Sequence, residues 1–122
     1  MKIKIIINGN IQLQGLLNET VTAQIVHAAL PLQGQGKTWG EEIYFVSDVK
    51  ARLENPREVL QPGEIAYWPP MQAICIFFGP TPASRGDEIR AAGPVNVFGM
   101  VKENLDVLRG LKEPLSITIT KD

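Results

Sequence analysis

The side chains able to do covalent or metal chemistry in this 122-residue chain are few and stand apart from one another. There is one histidine, His27, and one cysteine, Cys75, so the clustered Cys and His ligands of a zinc site are missing. Cys75 lies in the most apolar stretch, where a free cysteine commonly acts as a small hydrophobic residue, and His27 lies beside the apolar face of a predicted helix. No Gly-x-Ser-x-Gly run surrounds a serine. The sequence therefore predicts no catalytic residue, no metal site and no cofactor.

The triplet Gly36-Lys37-Thr38 has the form of the end of a phosphate-binding loop. The full motif, G-x-x-x-x-G-K-[ST], requires a glycine five residues before Gly36, where this chain has Pro31. It also requires a strand before it and a helix after it, whereas here a predicted helix precedes and a predicted strand follows. We therefore interpret the triplet as part of a flexible loop.

Four aromatic residues border predicted loops or lie in predicted strands: Trp39, Tyr44, Trp68 and Phe78. Two interpretations are open, since these side chains could simply pack the core or could line an apolar pocket with a few polar groups, the usual composition of a ligand site. Ser84 would stand on the polar rim of such a pocket. The candidate ligand-binding residues are Tyr44, Trp68, Phe78, Thr81, Arg85, Arg90 and Asn96. Trp68 and Phe78 are the strongest of them.

The segment Gly79–Pro94 contains several of these candidates and is predicted to be one long loop. It contains three prolines and three glycines together with charged residues. Loops of this length inside a compact domain commonly carry function. We expect it to form one wall of the pocket.

The elements that must position these residues begin with a hairpin. Ile3, Ile5 and Ile7 alternate with other residues along a first strand, because successive side chains of a strand point to opposite faces. Asn8-Gly9 suits the positive φ angles of a tight turn. An amphipathic helix is predicted over Asn18–Leu30, and Pro31 ends it.

The rest of the chain reads mostly as short strands. They are predicted at Glu41–Ser47, Glu64–Trp68, Gln72–Phe78, Val95–Val101 and Leu115–Thr120, the last beside the first strand. Residues 48–63 are predicted to be a loop or a short edge element. A second helix is predicted to carry Leu105, Val107, Leu108 and Leu111. Many short strands with two helices favour a closed or nearly closed barrel.

The length and composition are those of one globular domain spanning residues 1–122. The formal net charge is −1 and basic residues are scattered, so neither nucleic acid nor a membrane surface is an expected partner. The longest purely apolar run, Ala73–Phe78, is far too short to span a bilayer. We expect a cytoplasmic protein, and the sequence does not predict its oligomeric state.

Two blocks of the chain resemble cyclophilins, the peptidyl-prolyl isomerase barrels. One is Lys2–Leu30, a hairpin followed by a helix. The other is Glu64–Thr120, which has in order a double-Phe strand, a Pro-Thr-Pro loop, a Val-Phe-Gly strand, a helix and a last strand. The resemblance implies a mainly β fold, a closed β-barrel with two helices. It also implies that Phe78, matching the second Phe of the double-Phe motif, lines a pocket.

The residues that carry cyclophilin catalysis are missing at the matching positions. The family's arginine follows a Phe-His pair on a strand that here reads Tyr44-Phe45-Val46-Ser47. Its Gln-Gly-Gly segment has no counterpart in residues 48–63, and Pro94 stands where its histidine precedes the Val-Phe-Gly strand. Loss of a group that stabilises developing charge typically costs ~3 kcal/mol of barrier or more, so we do not expect isomerase activity by the usual mechanism.

The whole chain is also similar to small bacterial and archaeal cyclophilin-like proteins of unknown function. The similarity rests on Trp39–Phe45, Tyr67–Pro70, Cys75–Pro82 and the Val-Asn-Val-Phe-Gly run. It implies a fold without an established activity. We expect non-catalytic binding of a small molecule or an extended peptide in an aromatic-lined cleft. An atypical or weak prolyl isomerase, and a subunit of a larger enzyme complex, stay open as alternatives.

Overall fold

The protein, represented by a computed structural model, is described over residues 1–103 and 105–122. About half of these residues form β-strands, joined by one α-helix and two short 3-10 turns. The strands are β1 Lys2–Ile7, β2 Ile11–Leu17, β3 Leu32–Thr38, β4 Glu42–Val46, β5 Arg57–Leu60, β6 Glu64–Trp68, β7 Ala73–Phe77, β8 Ile89–Val101 and β9 Leu115–Lys121. The helix is α1 Val21–Ala29, and the 3-10 turns are Pro69–Met71 and Leu105–Leu108. Within the described part of the chain, no helix has the length and apolar character needed to cross a membrane.

The hairpin and the closing strand are confirmed. Asn8 and Gly9 have φ angles of 54° and 74°, and β1 pairs antiparallel with β2 so that Ile5 faces Leu13. On its other side β1 pairs with β9, where Ile5 faces Ile119. The alternating isoleucines of β1 are completely buried, as the period of two requires.

Eight of the strands form a closed ring. The order is β2-β1-β9-β3-β4-β7-β6-β8, and β8 returns to pair with β2. All of these pairings are antiparallel. Closure leaves no free edge in the ring, and it confirms the mainly β, closed-sheet fold expected from the sequence.

The 13-residue strand β8 belongs to two structures. Its C-terminal part pairs with β6 and β2 and completes the ring, whereas its N-terminal part pairs with β5, from Leu60 opposite Ile89 to Arg57 opposite Val95. The strand β5 is therefore an edge element outside the ring, as residues 48–63 suggested. The predicted loop Gly79–Pro94 is correspondingly shorter, because β8 already begins at Ile89.

The segment interpreted as a flexible loop around Gly36-Lys37-Thr38 is instead the strand β3. It pairs with β9, where Leu32 faces Ile119 and Gly36 faces Leu115. Its glycines accept the side chains of neighbouring strands, since a Cβ on Gly36 would lie 2.6 Å from Ile117 Cδ1. A strand filled by its neighbours' side chains carries few apolar residues of its own, which is why the prediction failed here.

The helical elements are shorter than predicted. Thr20 caps α1, its Oγ1 accepting a hydrogen bond of 3.0 Å from the Ala23 N–H, so the helix starts after the expected boundary at Asn18. The second predicted helix is a single 3-10 turn at Leu105–Leu108. Its Leu108 is nevertheless buried in the core.

The strands β4, β6 and β7 separate two apolar cores. The inner core lies inside the ring and includes Ile43, Phe45, Ile74 and Ile76. The outer core lies between the opposite face of these strands and the N-terminal part of β8. Its members are Leu60, Ala66, Ala73, Cys75, Phe77, Ile89, Ala91 and Val95, with Tyr44, Trp68 and Val97 packed against them. Burial on both faces explains why Ala73–Phe77 is continuously apolar.

Candidate functional site

A cavity of about 240 Å³ lies in the outer core. Its floor is the outer face of β4 and β7, and β8 covers one side. The lining residues are Trp39, Glu42, Tyr44, Trp68, Ala73, Cys75, Phe77, Ala91, Ala92 and Val95. The lining is therefore aromatic and aliphatic, with one carboxyl group among the apolar side chains.

Strand alternation brings the floor residues together. On β4, Glu42 and Tyr44 face the cavity while Ile43 and Phe45 face the inner core. The antiparallel register places Tyr44 beside Cys75 and Glu42 beside Phe77. Small side chains at Ala73 and Ala91 leave the space between the aromatic walls unfilled.

The turn between β3 and β4 positions Trp39. The Trp39 N–H donates to the Glu42 carbonyl at 2.9 Å, and the Glu41 N–H donates to the Pro80 carbonyl at 2.9 Å. Gly40 between them has a φ of +61°, and a Cβ there would lie 2.9 Å from the Pro80 carbonyl oxygen. Only glycine fits this backbone conformation so close to the 80–82 segment.

The opposite wall is Trp68, the last residue of β6. It pairs with Ala73 of β7, and Pro69-Pro70 directly afterwards turn the chain out of the strand. The backbone of β8 passes close to it, since a Cβ on Gly93 would lie 3.3 Å from the Trp68 Nε1. Trp68 therefore lies between the ring and the pair formed by β5 and the N-terminal part of β8.

Glu42 is the buried carboxyl group of the cavity, with 5% of its surface exposed. Burial raises the pKa of its carboxyl from 4.5 to about 7, and the Cys75 thiol opposes this weakly as a hydrogen-bond donor. Burial also raises the pKa of Cys75, and the neighbouring charge of Glu42 adds to the effect. Cys75 is therefore a protonated thiol at neutral pH and unsuited to nucleophilic attack.

Tyr44 stands at the mouth of the cavity and is half-buried. The pKa of its phenol is raised, first by partial burial and then by the negative charges of Glu42 and Glu113 and by Cys75. It therefore offers a neutral O–H group that can donate or accept a hydrogen bond.

Of the residues singled out from the sequence as a ligand site, Tyr44 and Trp68 line this cavity, and Trp39 joins them. Phe78 is buried in the inner core, with 4% of its surface exposed. Its neighbour Phe77 lines the cavity instead. The four polar candidates Thr81, Arg85, Arg90 and Asn96 lie outside the lining.

Thr81, Ser84 and Arg90 form a network that holds the start of β8. The Thr81 hydroxyl donates to the Arg90 carbonyl, and the Thr81 and Arg90 N–H groups donate to Ser84 Oγ at 2.9 and 3.2 Å. The Arg90 side chain is held by Glu88, with Nε 2.6 Å from Oε2. Arg85 is exposed, and its N–H donates to the same carboxylate at 3.0 Å. These contacts join residues of the same segment, from Thr81 to Arg90, and stabilise its conformation.

Asn96 is buried and its amide is fully used by the protein. Its Nδ2 donates to Thr22 Oγ1 at 3.1 Å and to the Arg52 carbonyl at 2.7 Å, while its Oδ1 accepts from the Glu54 N–H at 2.8 Å. Asn96 thus ties β8 to α1 and to the segment before β5.

Sequence reasoning missed Glu42, Phe77, Ala91 and Val95. A glutamate in a strand is ordinarily solvent-exposed, so residue type alone does not single out Glu42. The usable signal was its position two residues before Tyr44, on the same strand face. Among the described residues, no three His, Cys, Asp or Glu side chains come together as a metal site.

Comparisons with known proteins agree with this fold. The family model described as "Cyclophilin-like" matches residues 1–120. The solution structure of a hypothetical protein from Archaeoglobus fulgidus is similar, with 31% identity and a TM-score of 0.81, over 100% of this chain and 95% of that one. A structure of McbB in complex with tryptophan has a TM-score of 0.73 at 14% identity, over 98% of this chain and 44% of McbB, and shows a likeness of fold. The search of curated proteins found no match.

Proposed function

Since this chain belongs to the cyclophilin-like family, we propose that it binds a small molecule in the outer cavity and does not catalyse prolyl isomerisation. The observation that carries the proposal is the unfilled space of about 240 Å³ between Trp39, Tyr44, Trp68 and Phe77. Protein interiors are normally close-packed, so an aromatic-walled space of this size favours an occupant.

The size of the cavity favours a small molecule over an extended peptide. An apolar cavity of about 150 Å³ is large enough to bind benzene. The cavity here is larger than that but below the ~300–1,000 Å³ typical of sites for drug-sized ligands. A ligand with one or two rings is therefore the expected occupant.

The lining also argues against the isomerase alternative. Over the described part of the chain it contains no arginine, and the side chains of Arg57, Arg90 and Arg109 are engaged by carboxylates elsewhere. Exchange spectroscopy on an X-Pro peptide should show the same cis–trans rate with and without the protein. Acceleration that a cavity-filling substitution removes would favour the enzyme instead.

Binding can be tested by filling the cavity. Ala91 has 3% of its surface exposed and lines the cavity on β8, whereas Ala28 is exposed on α1. Small aromatic compounds should raise the melting temperature of the wild type and of Ala28→Phe, because a ligand that binds only the folded state stabilises it. They should not protect Ala91→Phe. Equal protection of all three proteins, or no protection of any, would overturn the proposal.

A further inference from the structure

The cavity carboxyl differs from the other buried polar side chains. Among the residues that the structure describes, five polar residues are buried: Thr22, Glu42, Glu64, Thr81 and Asn96. Four of them have well-defined hydrogen bonds to the protein. Glu64 is the closest parallel, since its carboxylate pairs with Arg57 and accepts from the Gln61 N–H at 2.6 Å. Glu42 has no such partner among the residues that the structure describes.

The Cys75 thiol is a hydrogen-bond donor to the Glu42 side chain, but it is a poor one. Its sulfur also lies 3.8 Å from the Ala73 carbonyl oxygen, so its single proton is shared between two acceptors. A thiol is a weak donor in any case. The lining brings no lysine, arginine or histidine to the carboxylate over the described residues. A buried carboxylate without a charged partner is costly unless it takes up a proton or a cation binds to it from outside the chain.

The surrounding side chains suit a cation. The negative faces of tryptophan and tyrosine rings attract ammonium groups, most strongly where water is excluded. Trp39, Tyr44 and Trp68 line the same cavity as the carboxyl, with Phe77 beside Glu42 in the sheet register and Trp68 toward the other end of β7. An anionic ligand would find no positive charge in the lining and would be repelled by Glu42.

We infer that the cavity selects a small organic ammonium ion, with its charged nitrogen on the Glu42 carboxylate and its apolar body between Trp39 and Trp68. This inference rests on the proposed function and specifies its ligand class. A free carboxylate on the ligand disfavours binding, so simple amines are preferred over acids of the same size.

The selection should depend on pH through Glu42. Burial favours the neutral carboxyl below about pH 7, so the affinity for an ammonium ion should rise as the pH increases through this region. The other titratable groups of the lining are the Cys75 thiol and the Tyr44 phenol, both with raised pKa values. Outside the lining, Glu113 acts on Tyr44, and the exposed Lys37 lies opposite Tyr44 in the β3–β4 register. The Cys75 thiol and the Tyr44 phenol stay neutral near pH 7, which leaves Glu42 as the group of the lining that titrates there.

Three probes of similar shape test the inference by calorimetry: 2-phenylethylammonium, 2-phenylethanol and 3-phenylpropanoate. At about pH 8, the wild type should bind the ammonium ion roughly tenfold or more tightly than the alcohol, because hydrogen bonds to charged groups are the stronger ones. The propanoate should bind most weakly. At about pH 5.5 the advantage of the ammonium ion should shrink as the carboxyl takes up its proton.

Glu42→Gln should abolish the preference for the ammonium ion and leave binding of the alcohol intact. Glu41→Gln is the matched control, because Glu41 is half-exposed and pairs with Arg109 at 2.9 Å outside the lining. Equal binding of the alcohol and the ammonium ion by the wild type would overturn this inference while leaving the proposed function standing. Failure of all three probes would overturn both, and the wild-type pH profile decides the matter even if Glu42→Gln does not fold.

Discussion

The inner and outer cores use the two faces of the same strands in different ways. Toward the inside of the ring, Ile43, Phe45 and Ile76 are at most 1% exposed and fill their space. Toward the outside, Ala73 and Cys75 leave a cavity between larger aromatic rings. The side chains on the inner face are therefore close-packed and stabilise the ring, whereas those on the outer face leave part of their volume unfilled. The ligand site proposed above lies on this less tightly filled outer face of β4 and β7.

Substitutions at neighbouring positions of β7 should separate the two faces most strongly. Ile76→Ala removes fully enclosed atoms and should lower the free energy of unfolding by roughly 2–5 kcal/mol. Cys75→Ala removes a single sulfur beside existing space and should cost about 1 kcal/mol or less. Urea denaturation of the two variants measures both values. Similar losses would mean that the two faces are packed alike, contrary to the comparison.

The free energy of unfolding should depend on pH through the ionisation of Glu42. Its pKa is raised on folding from 4.5 to about 7, so the folded state binds the proton more tightly than the unfolded state. The stabilisation is complete below pH 4.5 and is lost as the pH rises through about 7, by up to about 3 kcal/mol for a shift of this size.

Glu42→Gln should remove this decline from unfolding curves recorded across the same pH range. The control Glu41→Gln should retain it. A decline that persists unchanged in Glu42→Gln would place its origin elsewhere in the molecule.

The turn that carries Trp39 should be sensitive to the loss of its glycine. Gly40→Ala forces a side chain into a left-handed backbone conformation and against the Pro80 carbonyl, and backbone strain of this kind costs on the order of 1–3 kcal/mol. Gly86 has a similar φ of +66°, but a Cβ there would have nothing within 4 Å, so Gly86→Ala has strain without the clash. Thermal unfolding should show the larger loss for Gly40→Ala. Weaker ligand binding should accompany that variant alone.

The smallest effect should come from Glu54, a carboxylate that is not part of the cavity lining. It accepts hydrogen bonds from the Val21 and Thr22 N–H groups at 3.0 and 2.9 Å, at the start of α1. These bonds lower its pKa, so its contribution to stability is present above pH 4.5 and is lost as the pH falls through the lowered value. Acid unfolding of Glu54→Gln should therefore lose this component. The ligand affinity of Glu54→Gln should equal that of the wild type. A changed affinity would mean that the start of α1 is energetically coupled to the cavity on the outer face.

Much of the architecture could be predicted from local patterns. The isoleucine alternation of β1, the Asn8-Gly9 turn and the continuous apolar run of β7 have direct physical meanings that the structure confirms. The strand β3 could not be recognised, because its glycines are filled by side chains of other strands. That information lies in the pairing and not in the segment itself.

The site was harder to predict, because side chains alternate between the two faces of a sheet and the sequence must show which set lies on which face. Phe77 and Phe78 are adjacent and identical, yet one lines the cavity and the other lies in the inner core. A strand that is apolar on both faces does not reveal its phase, and a shift of one residue exchanges the faces. Tyr44 and Trp68 were identified from their chemistry, whereas Glu42 gains its character only from burial.

The central claim is that the outer face of β4 and β7 binds a ligand, and the two tryptophans of the chain test it directly. Both line the cavity, so their two indole N–H signals in a proton–nitrogen NMR spectrum report on this site alone. Titration with 2-phenylethylammonium should shift both signals and the amides of Ala91 and Ala92 to saturation, and Ala91→Phe should abolish these shifts. Unmoved indole signals, or saturable shifts confined to another surface, would contradict the account.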